Sequence, residues 1–237
     1  MLRPSLANRR GSQYGLSIVE LLVGIAIGLF IIGGTVKLFV DYLQDSRRVL
    51  LETRLHQDLR SAADLIVRDL RRAGYWADSP SGMIAAGAAS APLNPFRQIT
   101  ITNNDLRAGE LTYSYDRAAP NAGFRVRNGA IEFLNGAGSW QQVTDPSSLV
   151  IDVATLSAPV ERVVDLYTSC PCYSRVPGCP ASMFASVGSH YDDRPRLTVR
   201  QYTLTLEGYA PSASAVRREI QETVRVRNDA TDGFCPP

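Results

Sequence analysis

Sixteen consecutive positions, residues 21–36 (LLVGIAIGLFIIGGTV), carry no charge, and this run constrains the chain more than anything else in it. Extended back to Leu16, the segment is 21 residues long with one interruption, Glu20. As a helix rising about 1.5 Å per residue it would be about 31 Å long, the thickness of a bilayer core. The stretch ahead of it, MLRPSLANRRGSQYG, holds Arg3, Arg9 and Arg10 and no acid. Such a flank keeps its end cytoplasmic and predicts export of the chain beyond the apolar run. A secretory signal would be cut after the apolar run at a small-x-small site; Val36, Lys37, Leu38, Phe39 and Val40 are a poor one. A plain anchor explains the length but not Glu20, because a carboxylate inside an apolar helix costs about 2.5–3.5 kcal/mol. The simpler account of Glu20 is a shallow position from which it reaches the headgroups.

The residues around it read Gly15-Leu16-Ser17-Ile18-Val19-Glu20. A short basic leader ends in Gly, Glu follows five residues later, and the apolar helix continues. This resembles the prepilin signal of type IV pilins and type II secretion pseudopilins. The resemblance implies that a membrane peptidase cuts after Gly15 and that Leu16 becomes the N-methylated first residue. It also implies that Glu20 is the buried carboxylate that meets a neighbouring subunit's terminal amine. Leu16 stands where the commonest residue of that family is Phe. An unpaired charge in hydrocarbon is expensive and a paired one much less so. Pairing between staggered subunits would therefore make the two charges a register device.

Beyond residue 40 the chain turns polar but keeps a helical period. Leu51, Leu55, Leu59, Ala62, Ile66, Leu70 and Ala73 form one apolar stripe. Asp64 and Arg68 make an acid-then-base pair one turn apart. Gly74, after Arg71-Arg72, is a natural helix stop. The expected helix thus runs over residues 16–74, with a transmembrane half at 16–40, after a leader at 1–15. Gly24 and Gly28 permit close helix approach, and Gly33-Gly34 mark either a soft point or a packing surface.

A linking loop is expected at residues 75–98, much of it Gly, Ala, Ser and Pro, and an exported β-rich domain at 99–237. The period there changes to two. Strands are expected at 99–102, 110–115, 123–127, 130–134, 140–143, 149–155 and 160–167, with two longer ones at 197–207 and 216–227 around a GYAPSAS turn. Asn128-Gly129 is a favoured two-residue hairpin turn. These strands predict one half-buried antiparallel sheet. A long helix followed by such a sheet is the α+β pilin plan. Within it, LRSAADLIVRDLRRAGYW (59–76) and the late VRVRN (224–228) are similar to the PilW type of minor pilin, and J-type pseudopilins of type II secretion share the plan.

The chain's net charge of +2 argues against a nucleic-acid binder, and two histidines argue against a multi-histidine metal site. No catalytic constellation emerges. Ser189-His190-Tyr191-Asp192-Asp193 reads as a solvated loop, His56 as a surface residue, and Asn135-Gly136-Ala137-Gly138-Ser139 as a turn lacking the helix a phosphate cradle needs. Trp76 and Trp140 read as core or interface aromatics. Cys170, Cys172, Cys179 and Cys235 fit zinc spacing poorly and suit disulfides on the oxidising side of a membrane. A Cys170–Cys172 bridge would be strained. Cys172–Cys179 with Cys170–Cys235, or Cys170–Cys179 with Cys172–Cys235, remain.

Three functions stand as expectations. The first is a structural protein without cofactor or catalytic residue: a minor pilin that helps initiate a type IV pilus and sits at or near its tip. Its implied partners are other minor pilins, the major pilin, the prepilin peptidase, the inner-membrane assembly platform and a tip adhesin. It would cross the inner membrane once, with its C-terminal domain periplasmic, before entering the pilus. The second is a J-type pseudopilin of a secretion system. The third is a membrane-anchored periplasmic enzyme or receptor.

Overall fold

The computed structural model describes residues 15, 17–82, 93–116, 118–166 and 196–232. Its first element, α1 (Ile18–Leu70), is a helix of 53 residues. The chain divides into two compact units, residues 1–49 and 50–237. In the first unit α1 runs unbroken through Gly33-Gly34, so the candidate soft point is not a break. Its apolar side chains are exposed, Phe30 by 84%. Thr35 donates its hydroxyl to the Ile32 carbonyl at 2.9 Å, which satisfies that donor within the helix. With a mean hydropathy of 2.3 over an 18-residue window, this part is long and apolar enough to cross a membrane, and it fits a membrane anchor.

Among the described residues the second unit holds ten strands. β1 (Ile99–Ile101), β2 (Leu111–Tyr115), β3 (Ala118–Arg127), β4 (Ala130–Leu134) and β5 (Trp140–Gln142) follow one another as an antiparallel meander. The β3–β4 turn is Asn128-Gly129, with φ of 52° and 77°. Both residues are left-handed, which the favoured hairpin turn requires and Asn-Gly supplies.

β6 (Val150–Leu156), β7 (Val160–Asp165), β8 (Arg196–Ala210), β9 (Ala213–Arg225) and β10 (Ala230–Asp232) make the second sheet. β8 is its spine. β7 and β6 lie end to end along one edge of β8, and β10 and β9 along the other. Two sheets therefore replace the single sheet expected. They are joined through Leu106, whose N–H donates to the Ala154 carbonyl of β6 at 2.8 Å and whose carbonyl accepts from Val126 of β3 at 2.7 Å. The β8–β9 turn is also tighter than expected, only Pro211-Ser212, because Gly208 to Ala210 remain in β8.

The apolar stripe of α1 is the one expected. Leu55, Leu59, Ala62, Ile66, Leu70 and Ala73 are buried with sheet residues such as Leu111, Phe124, Leu156, Tyr202 and Val224 in one core, and Leu51 packs at its edge. Burying a Leu or Ile side chain contributes about 1.5–3 kcal/mol, so this row ties the helix to the sheets. Asp64 and Arg68 form no ion pair with each other; Arg218 instead reaches across from β9 to Glu52 of α1 at 2.5 Å. The observed arrangement is the α+β pilin-like plan: one long N-terminal helix, apolar in its first half, and antiparallel sheets.

Candidate functional site

Ser17 starts α1. Its hydroxyl accepts from the Val19 N–H at 3.3 Å, and its carbonyl accepts from the Leu21 N–H at 3.1 Å. Ser17 is thus the N-cap and Glu20 the third helical position, the two polar members of a capping-box pattern. An acid in the first turn also complements the positive end of the helix dipole. The S-x-x-E spacing was legible in the sequence, but the reading of Glu20 as an assembly residue overshadowed it. Gly15 is exposed non-helical chain with nothing within 4 Å of where a side chain would begin. Leu16 lies outside the described residues.

The other end of α1 stops sooner than expected, at Leu70. Arg71 still donates to the Val67 carbonyl at 3.0 Å, but Arg72 and Ala73 donate only three residues back, to Asp69 and Leu70, at 2.9 and 3.2 Å. The last turn tightens in this way when a helix runs out. Gly74 takes φ +75°, a value that suits glycine, yet its N–H turns to the Ser114 carbonyl of β2 at 2.9 Å rather than back to the helix.

Apart from a local bond from Tyr75 N–H to Arg72 O at 3.1 Å, the carbonyls at this end are met from elsewhere in the fold. Arg227 N–H donates to Arg71 O at 3.3 Å. The Asn228 amide donates to Arg72 O at 3.3 Å and Ala73 O at 3.0 Å, and the Asn94 amide to Gly74 O at 2.7 Å. The two segments that resemble PilW-type pilins in sequence, 59–76 and 224–228, therefore meet here. Sequence reasoning named both and missed their contact, because no periodicity reports which distant turn caps a helix.

Beneath this cap lies a buried polar pair. The Tyr113 hydroxyl donates to Asp69, which is 7% exposed. Burial, then the charge of Asp69, holds the Tyr113 phenol far above its ordinary value. Arg72 contacts the same carboxylate at 3.4 Å and stacks over the Tyr115 ring at 4.8 Å. An open cleft of about 390 Å³ adjoins, lined by Arg71, Arg72, Tyr75, Tyr115, Arg227 and Asn228.

Among the other candidates, His56 is exposed. Asn135 closes its Gly-rich turn, accepting from Ala137 and Ser139 N–H at 3.1 Å each. Trp140 lies against the Arg125 guanidinium at 4.1 Å. Cys170, Cys172, Cys179, Cys235 and the loop around His190 lie outside the described residues. Among the described residues no group of three or more His, Cys, Asp or Glu could hold a metal ion.

An apolar helix opened by Gly15, Ser17 and Glu20, with a helix-and-sheet unit after it, defines a pilin-like protein. Residues 48–226 match the model of a family described as prepilin peptidase-dependent protein B, PpdB. That span is most of the chain, and the chain belongs to this family. It takes in the end of α1, β1 to β9 and Cys170, Cys172 and Cys179; it leaves out Gly15, Glu20, β10 and Cys235. No curated protein and no solved structure matches the chain.

Proposed function

We propose that this protein is a minor pilin of the PilW kind, which helps initiate a type IV pilus and is incorporated at or near its tip. The observation that carries the reading is the Gly15–Glu20 segment ahead of an apolar helix, in a chain of a prepilin-peptidase-dependent family. In this reading the peptidase cuts after Gly15 and Leu16 becomes the methylated N-terminus. The chain waits in the inner membrane with its second unit in the periplasm. The apolar, exposed surface of residues 18–43 then exchanges lipid for the helices of other minor pilins and the major pilin at the assembly platform. Glu20 meets a neighbour's terminal amine as it does so. The role is structural rather than catalytic, and a tip adhesin is a further partner.

The test is deletion of the gene, followed by counting surface pili and probing the sheared pilus fraction of complemented cells for the protein. The reading expects fewer pili on deletion and the protein in the sheared fraction. Unchanged piliation with a defect in protein secretion would assign the chain to a secretion pseudopilus instead.

A further inference from the structure

The cleft at the end of α1 is lined by three arginines, Arg71, Arg72 and Arg227, together with Tyr75 and Tyr115. Arginines near a helix C-terminus usually find work on its last carbonyls. Here those carbonyls are already met by the Arg227 N–H and by the amides of Asn228 and Asn94. The side chains of Arg71 and Arg227 make no hydrogen bond or ion pair among the described residues. Among the described residues no acid lines the cleft. The acids nearest in sequence each already have a partner other than Arg71 and Arg227. Asp69 holds Tyr113 and Arg72, Asp116 accepts from Ala77 N–H at 2.8 Å, and Asp229 pairs with Arg225 at 2.9 Å. Arg72 thus has its own carboxylate in Asp69, whereas Arg71 and Arg227 bring two like charges to one cleft, which repel one another unless an anion joins them. The geometry of a guanidinium suits a carboxylate in particular.

We propose that this cleft is a docking site for an acidic peptide segment of a partner protein. Carboxylates of that segment engage Arg71 and Arg227, and its chain lies against Tyr75, which is 43% exposed, and Tyr115. A volume of about 390 Å³ accommodates a few side chains of such a segment, and flat aromatic walls favour a peptide over a bare ion. The proposal goes beyond the pilin reading and does not depend on it, since peptide binding is measured apart from processing or piliation.

The experiment uses the full chain in neutral detergent. Fluorescence anisotropy follows a labelled hexaglutamate peptide, with hexaglutamine as control, at low salt. Three proteins are compared: wild type, Arg71→Gln with Arg227→Gln, and the charge-matched Arg54→Gln with Arg60→Gln, which alters exposed arginines elsewhere on α1. Thermal unfolding confirms that all three are folded. Loss of two charge-assisted contacts is expected to weaken hexaglutamate binding roughly tenfold or more in the cleft variant. The charge-matched variant should bind as wild type, and hexaglutamine should not bind. Equal weakening in both variants, or no binding by wild type, overturns the proposal. So does binding to anionic lipid vesicles through Arg71 and Arg227 without binding to the peptide.

Discussion

Glu20 answers to two demands. As the third residue of α1 it complements the helix's positive end; as an assembly residue it would pair with a neighbour's amine. The two roles separate by experiment. Glu20→Gln keeps the side chain's length and much of its capping ability but removes the charge. It should leave the amount of protein in the membrane unchanged and lower the amount in sheared pili; equal incorporation would remove the pairing role. Tyr113 is a second residue whose part is readable. Tyr113→Phe leaves the buried Asp69 without its hydroxyl donor, a loss of about 1–3 kcal/mol, measurable by denaturant unfolding. The phenol's folded value lies above its ordinary 10.0. Its stabilising contribution is therefore complete below about pH 10 and declines above it, where the unfolded chain ionises and the folded one does not. Wild type should lose unfolding temperature more steeply than Tyr113→Phe above that pH.

At the scale of elements, α1 was the most legible part of the chain. Its apolar positions recur at a helical spacing, and every stripe residue from Leu55 to Ala73 is buried. The sheets were only half legible. Alternation tells which face of a strand is buried and not which strand lies beside it, so one sheet was expected where two exist. β10 escaped because three residues after Asn228-Asp229 look like a turn, and Gly208-Tyr209-Ala210 looked like one although β8 runs through it. The cap on α1 escaped for the same reason as the second sheet. Asn228→Ala should uncover the Ala73 carbonyl, Arg72 O keeping the Tyr75 N–H, and cost about 1–2 kcal/mol, read as a lower unfolding midpoint. The strand register also bears on the cysteines. Arg196, at the start of β8, lies opposite Asp165 of β7 on one side and Asp232 of β10 on the other. β7 and β10 thus end, at Asp165 and Asp232, on either side of the start of β8. Non-reducing peptide mapping should find Cys235 bridged to Cys170 or Cys172, with Cys170–Cys235 and Cys172–Cys179 the preferred pairing. Four free thiols, or one bound zinc per chain, would contradict this.

The whole molecule joins two chemistries in one chain. The unit of residues 1–49 carries an exposed apolar helix surface, which water does not tolerate and which lipid or neighbouring helices would cover. The unit of residues 50–237 buries its own core. A pilin needs this division, because its helix must leave the bilayer for a filament while its globular part stays folded. In the proposed reading, the step that commits the chain to that path is removal of the leader at Gly15, and everything proposed for Leu16 and Glu20 depends on it. The most direct test is mass spectrometry of the intact N-terminus, on protein extracted from membranes of cells that make pili. The account predicts a chain that begins at Leu16 and carries one N-terminal methyl group, and a block to processing when Gly15 is replaced by Val. A chain that still begins at Met1 in those cells would contradict it.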